Sequence, residues 1–227
     1  MPRVLALGER LLRIASRLRS RLLGVSELER WWASRPESHA DSYFFATDAP
    51  YRSVLIDRLV SLHPTATSFL ELGCGGGPNL RLLAERKPEA EIEGIELGEA
   101  VVSRARILFE ASGCRNVRLR AGRAQDLLPL MDPCDVVFSC GALCLISPDE
   151  IEGALRAAVQ KARLGCVFLE PYADVPQANL PGSDIWNHDL QRLAGATWEL
   201  TPEPVVWASA DPSQVETRLW RIIGRPR

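Results

Sequence analysis

The chain is 227 residues long, 46% apolar and 25% charged with a net charge of −2, and it holds no run of eighteen uncharged apolar residues, which excludes a transmembrane span. At this size a folded chain buries roughly 70% of the surface its unfolded form exposes, so a core needs no disulfide or metal staple. A pI near 6.0 argues against nucleic acid as the main partner.

Residues 1–35 carry eight arginines against Glu9, Glu27 and Glu29. Leu7, Leu11, Ile14, Leu18 and Leu22 recur every three to four residues, with Arg10, Arg13, Arg17 and Arg21 on another face. That spacing predicts a basic amphipathic helix. It is read first as a lid or packing element; peripheral contact of residues 1–23 with an anionic membrane stays open. Arginines interrupt its apolar stretch and no small-residue cleavage site follows, so no secretory signal is expected. Trp31, Trp32, Tyr43, Phe44 and Phe45 then crowd a looser polar segment before Pro50. They either staple the extension to the core or form one wall of a pocket. The expected division is a helical extension over 1–49 and one domain over 50–227.

From Pro50 the pattern alternates. Helices are predicted over 51–62, 78–86, 99–112, 149–162 and 185–193. Strands are predicted over 67–72, 91–97, 116–121, 135–139 and 165–170, and near 198–200 and 218–223. Such alternation implies an α/β fold, a parallel sheet with both faces covered. The last two strands lack a full crossover helix between them, which predicts an antiparallel pairing at the sheet edge.

Six cysteines, Cys74, Cys114, Cys134, Cys140, Cys144 and Cys166, form no C-x-x-C pair. They read as core residues in a reducing, cytoplasmic setting. The histidines, His39, His63 and His188, are scattered, so no metal site is expected.

The sharpest feature is the run from Phe69 to Leu80, in which Glu71 and Leu72 lead into Gly73-Cys74-Gly75-Gly76-Gly77 and Pro78. A buried strand ends in a carboxylate, glycines let a ligand approach the backbone, and Pro78 suits the first turn of a helix. Glu96 lies 23 residues after Gly73 at the end of the second strand, where a carboxylate accepts from both ribose hydroxyls. The dinucleotide fingerprint fails, because its last glycine falls on Pro78. Glu71, two residues before the first glycine, also suits a cationic ligand better than a pyrophosphate.

These residues resemble the class I S-adenosylmethionine-dependent methyltransferases over about residues 50–225. The resemblance rests on the glycine bend, on Glu96, on Asp135-Val136-Val137-Phe138-Ser139, and on Gly165-Cys166-Val167-Phe168-Leu169-Glu170-Pro171. It implies a Rossmann-like, seven-stranded, mostly parallel sheet with a reversed final strand. It further implies that Gly73, Cys74, Gly75 and Gly77, with Asn79, wrap the methionine and ribose parts of S-adenosylmethionine, Glu71 ordering that bend. Glu96 would hold the ribose, Leu97 would pack on adenine, and Ser139 and Cys140 would face the methionine end. The family often has an acidic residue where this chain has Gly122-Arg123-Ala124. Adenine contact there is assigned to the Arg123–Ala124 turn, with its amine read by Gln125, Asp126 or backbone.

Methyl transfer needs the acceptor held against an activated carbon, and positioning of this kind supplies on the order of 7–11 kcal/mol. A hydroxyl acceptor also gains from a proton acceptor. Candidates lie beyond the carboxyl ends of the last parallel strands: His188, flanked by Asp189, and Glu170. Asp184 is the expected cap of the helix over 185–193. Tyr43, Phe44, Tyr172 and Trp186 are the candidate acceptor-binding residues. The expected activity is O- or N-methylation of a small molecule of secondary-metabolite or glycan type. The alternative is a non-catalytic cofactor-binding partner subunit or scaffold of the same fold. A homodimer is compatible with either.

Overall fold

Strands with apolar side chains on both faces are stable only between two layers of helix. Ser68–Leu72 is such a strand, and it forms β1 in a computed structural model that describes residues 27–171, 177–178, 185–193, 198–204 and 219–226. Three helices precede it, α1 (Glu27–Ala33), α2 (Glu37–Phe44) and α3 (Pro50–Leu62). After β1 come α4 (Pro78–Arg86), β2 (Glu91–Glu96), α5 (Glu99–Ala111), β3 (Val117–Ala121) and the single turn α6 (Ala124–Leu127). Next are β4 (Cys134–Cys140), α7 (Ile151–Lys161) and β5 (Ala162–Pro171). The remaining elements are β6 (Gln177–Ala178), β7 (Trp186–Asn187), α8 (Leu190–Leu193), β8 (Trp198–Pro204) and β9 (Leu219–Pro226).

Among the described residues one sheet runs in the order β3-β2-β1-β4-β5-β9-β8. β1 to β5 are mutually parallel, as the alternation of strand and helix requires. β9 runs antiparallel to both β5 and β8, and β6 and β7 form a separate antiparallel pair. The chain leaves β1 toward β2 on one side and later returns to β4 on the other. This reversal opens a crevice at the carboxyl ends of the strands.

The period of two along each strand sorts the core into two layers. Phe69, Ile92, Val136, Phe138 and Val167 face Leu55, Leu59, Leu80 and Leu83, whereas Leu70, Leu72, Val137 and Phe168 face Leu128, Leu155 and Ala158. The same period turns Glu71 inward with Phe69, toward α4. In α3 the buried stripe of Leu55, Ile56 and Leu59 also includes Arg52.

Several expectations change. The aromatic segment before Pro50 is helical rather than loose: α1 ends ahead of Pro36, and α2 begins at Glu37. The helix expected over 185–193 shrinks to α8, because Trp186 and Asn187 pair with β6. Its cap is Asp189, whose Oδ1 accepts from Arg192 N at 2.9 Å. Asp184, Tyr172 and the basic segment 1–23 lie outside the described residues. All six cysteines are free thiols. No helix among the described residues is long and apolar enough to cross a membrane.

Candidate active site

The crevice between β1 and β4 opens into a cleft of about 410 Å³, within the range of small-ligand sites. Its floor is the glycine bend. Gly73 adopts φ +68°, and a Cβ there would lie 2.4 Å from Ala142 Cβ, so only glycine lets the bend and the loop after β4 approach each other. A Cβ on Gly76 would lie 2.6 Å from Ala40 O, which shows how closely α2 rides over the bend.

Glu96 fastens this floor. Its Oε2 accepts from Gly75 N at 2.9 Å and its Oε1 from Gly98 N at 3.1 Å. Gly73 N and Cys74 N donate to Ile95 O at 2.8 and 3.0 Å. Carboxylate and bend thus form one rigid unit, and Glu96 still lines the cleft.

Behind the bend lies a buried polar chain. Asn79 Nδ2 donates to Glu71 Oε1 at 2.6 Å, and Arg52 Nη1 donates to Asn79 Oδ1 at 3.0 Å. Glu71 Oε2 has no partner among the described residues. Burial pushes the Glu71 carboxyl up to about 8, against the lowering effect of Asn79 and Arg52. Glu71 does not itself line the cleft; Asn79 and Arg52 do. The Arg52 guanidinium sits 5.0 Å from the Tyr51 ring and 6.0 Å from the Tyr43 ring, aromatic faces that favour a cation.

The outer wall comes from the N-terminal helices. Leu28, Glu29 and Trp32 of α1 and His39 and Tyr43 of α2 line it. His39 lies between Trp32, met edge-on, and the tilted ring of Tyr43, with ring centroids 5.7 and 4.5 Å away. Its Nε2 is buried and has no partner among the described residues. Burial, and then Arg35, hold its pKa below the ordinary value, so the ring is neutral at neutral pH. Beyond β3, Arg123 Nε and Nη2 each donate to Glu29 Oε1 at 3.1 Å, and Nη2 reaches Glu150 Oε1 at 2.7 Å.

The loop after β4 closes the opposite side. Glu170 Oε1 accepts from Ser139 Oγ at 2.6 Å, Ala142 N at 3.0 Å and Leu143 N at 3.1 Å, while Oε2 accepts from Cys144 N at 3.1 Å. Burial raises its pKa and these four donors pull it back.

The predicted residues therefore divide. Gly73, Cys74, Gly75, Asn79, Glu96, Leu97, Arg123, Ala124, Cys140 and Tyr43 line the cleft. Gly77 is the left-handed cap of α4, and Ser139 is buried against Glu170. The three catalytic candidates stand outside. Glu170 is committed to the loop, and Asp189 caps α8. His188 is buried with Nε2 3.0 Å from Ile146 O, where the ring N–H donates to that carbonyl, and burial lowers its pKa. Phe44 packs into the core against Phe109, ring centroids 5.0 Å apart, and Trp186 is outside the lining. Trp32 takes the pocket-wall position its aromatic segment allowed, and among the cleft residues missed in the sequence are Glu29, His39, Tyr51 and Arg52. Arg52 alone left a readable trace, a cation on the apolar stripe of its helix. Among the described residues no group of three or more His, Cys, Asp or Glu could hold a metal ion.

Residues 69–165 match a family model described as a methyltransferase domain. No curated protein sequence matches the chain. Several solved structures share its fold. The N-terminal domain of EvdMO1, solved in the presence of SAH and D-fucose, has a TM-score of 0.56 at 22% identity, over 79% of this chain and 84% of that one. An O-methyltransferase family protein from Burkholderia thailandensis has a TM-score of 0.62 at 15% identity, over 82% and 57%. CalS10, an amino pentose methyltransferase from Micromonospora echinaspora solved with SAM, has a TM-score of 0.56 at 18% identity, over 77% and 90%. The glycine bend, the acid at the end of β2, the five parallel strands and the matched segment agree: residues 69–165 match a methyltransferase domain, and the chain shares its fold with solved methyltransferases.

Proposed function

We propose that the chain uses S-adenosylmethionine to methylate a hydroxyl or amine of a small-molecule acceptor, of secondary-metabolite or glycan type, with α1 and α2 as a cover on the cleft. The observation that carries this reading is a cleft of small-ligand size flanked by Trp32, His39 and Tyr43 on one side and the loop after β4 on the other. EvdMO1 was solved in the presence of D-fucose and CalS10 acts on an amino pentose, which supports a sugar-like acceptor. We take the antiparallel β9 and its neighbour β8 as completing the family's seven-stranded arrangement.

The cleft residues fit the cofactor in order. Glu96 suits the ribose hydroxyls, and the Gly73–Gly75 backbone leaves room for close approach. Arg52 and Asn79 offer donors to the α-carboxylate at the methionine end, and Cys140 lies beside them with its thiol neutral, its pKa pushed up to about 12 by burial. Leu97 and Ala124 are apolar neighbours for the adenine. When bound, the cofactor supplies a methyl group on a positively charged sulfur. The chain supplies position, water exclusion and a proton acceptor. His39, which lines the cleft, replaces His188 in the last role, its neutral ring taking the proton of a hydroxyl acceptor.

The test is incubation of the purified chain with S-adenosylmethionine and a panel of sugars, hydroxylated aromatics and amines, followed by mass spectrometry. The expected product is one methyl heavier than its acceptor, with S-adenosylhomocysteine formed in equal amount. Tight cofactor binding without turnover on any acceptor would favour the non-catalytic alternative.

A further inference from the structure

We propose that Glu29, carried into the cleft by α1, is the residue that recognises the exocyclic amine of the cofactor's adenine, with Gln125 beside it and Arg123 holding it in place. The inference rests on the cofactor orientation proposed above. Arg52 lies at the β1/β4 end of the cleft and Glu96 at its middle, so the base is left to the β3 end. Gly122, Arg123, Ala124 and Gln125 line that end from the sheet side and Glu29 from the helix side.

The base has specific needs there. Its exocyclic amine donates, and the adjacent ring nitrogen accepts. Arg123 is a donor only and cannot receive the amine. Glu29 is an acceptor only, with two oxygens that together offer about four lone-pair sites. Its side chain is 11% exposed, which keeps competing water away. Gln125 Nε2 lies 3.4 Å from Glu29 Oε1, so a donor stands next to the acceptor. An acceptor beside a donor is the complement of the adenine edge. Leu28 and Ile146 add apolar surface at the same end.

The geometry also explains why an arginine stands at this turn. Arg123 reaches Glu29 through Nε and Nη2 at 3.1 Å and anchors itself to Glu150 at 2.7 Å, at the start of α7. Both guanidinium nitrogens meet the same oxygen, so the contact holds Glu29 Oε1 in place at the β3 end of the cleft. Recognition thus comes from a helix outside the sheet, and the sheet turn contributes the clamp.

The experiment compares binding of S-adenosylhomocysteine and S-inosylhomocysteine, in which a carbonyl oxygen replaces the amine, by calorimetry on the wild-type chain and on Glu29→Gln. The wild type is expected to prefer the adenine ligand by roughly tenfold to a hundredfold, the worth of a good two-point base contact. Glu29→Gln should bring the two affinities together, because an amide both donates and accepts. A wild type that binds both ligands equally overturns the proposal without any variant. So does a Glu29→Gln chain that keeps the preference, or that weakens both ligands alike, since either makes Glu29 a strut between helix and sheet. Failure of the wild type to bind S-adenosylhomocysteine at all defeats instead the cofactor orientation on which the inference rests.

Discussion

Glu71 is a carboxyl forced inward by the pleat of β1, and replacing it with glutamine isolates what its burial costs. In the fold its pKa stands at about 8 against an ordinary value of 4.5, chiefly because the ionised form is desolvated. Below pH 4.5 both folded and unfolded chains hold the proton and the favourable contribution is complete. Between 4.5 and 8 the folded chain keeps a proton that the unfolded chain has lost, so stability falls by up to about 1.4 kcal/mol per pH unit and levels off above 8. From pH 6 to pH 8 the loss is about 2 kcal/mol. Glu71→Gln retains a carbonyl oxygen for Asn79 Nδ2 and cannot ionise. Urea unfolding of both chains at pH 6, 7 and 8 cancels every other titrating group in the difference. Relative to the wild type, the variant should gain about 2 kcal/mol across this range. A difference that stays flat with pH refutes the assignment of a proton to Glu71.

Glu96→Ala removes the acceptor for Gly75 N and Gly98 N. It should weaken binding of S-adenosylhomocysteine by about 1–3 kcal/mol in calorimetry, and unchanged affinity would remove Glu96 from the cofactor site. Glu170→Gln places an amide donor against the cluster of Ser139, Ala142, Leu143 and Cys144 donors. A loss of about 1–3 kcal/mol in denaturant unfolding is expected. A fully stable variant would show that the carboxylate does not organise the loop. His39→Ala should lower turnover of a hydroxyl acceptor by a factor on the order of 10² to 10⁴ with cofactor affinity retained, whereas His188→Gln should leave turnover close to wild type. The reverse ranking would return the proton-accepting role to His188.

Much of the site could be read from local pattern. Glu71, the glycines after it and Glu96 were recognisable because each requirement is short-range: a buried strand, backbone bends with positive φ, and an acid at the end of the next strand. The parallel sheet was recognisable for a similar reason, since periods of 2 and 3.6 are written into contiguous residues. His39 and His188 were not distinguishable in this way. An aspartate beside His188 looked like an activating partner, yet Asp189 turns to cap α8 and His188 turns to the Ile146 carbonyl. Glu170, at a strand end where catalytic acids occur, meets four donors that come 26 to 31 residues earlier in the chain.

What the linear order of residues determined here is the class of protein: a doubly covered parallel sheet with a glycine bend and an acid spaced for a nucleoside. Which side chains enter the cleft was decided by the packing of α1 and α2 over the bend. The approach of Ala40 to Gly76 and the clasp of Arg123 on Glu29 bring residues 27–44 to strand ends tens of residues away. Contacts of that kind depend on the relative placement of whole helices. That placement follows from burial summed over the core, which no short run of residues encodes.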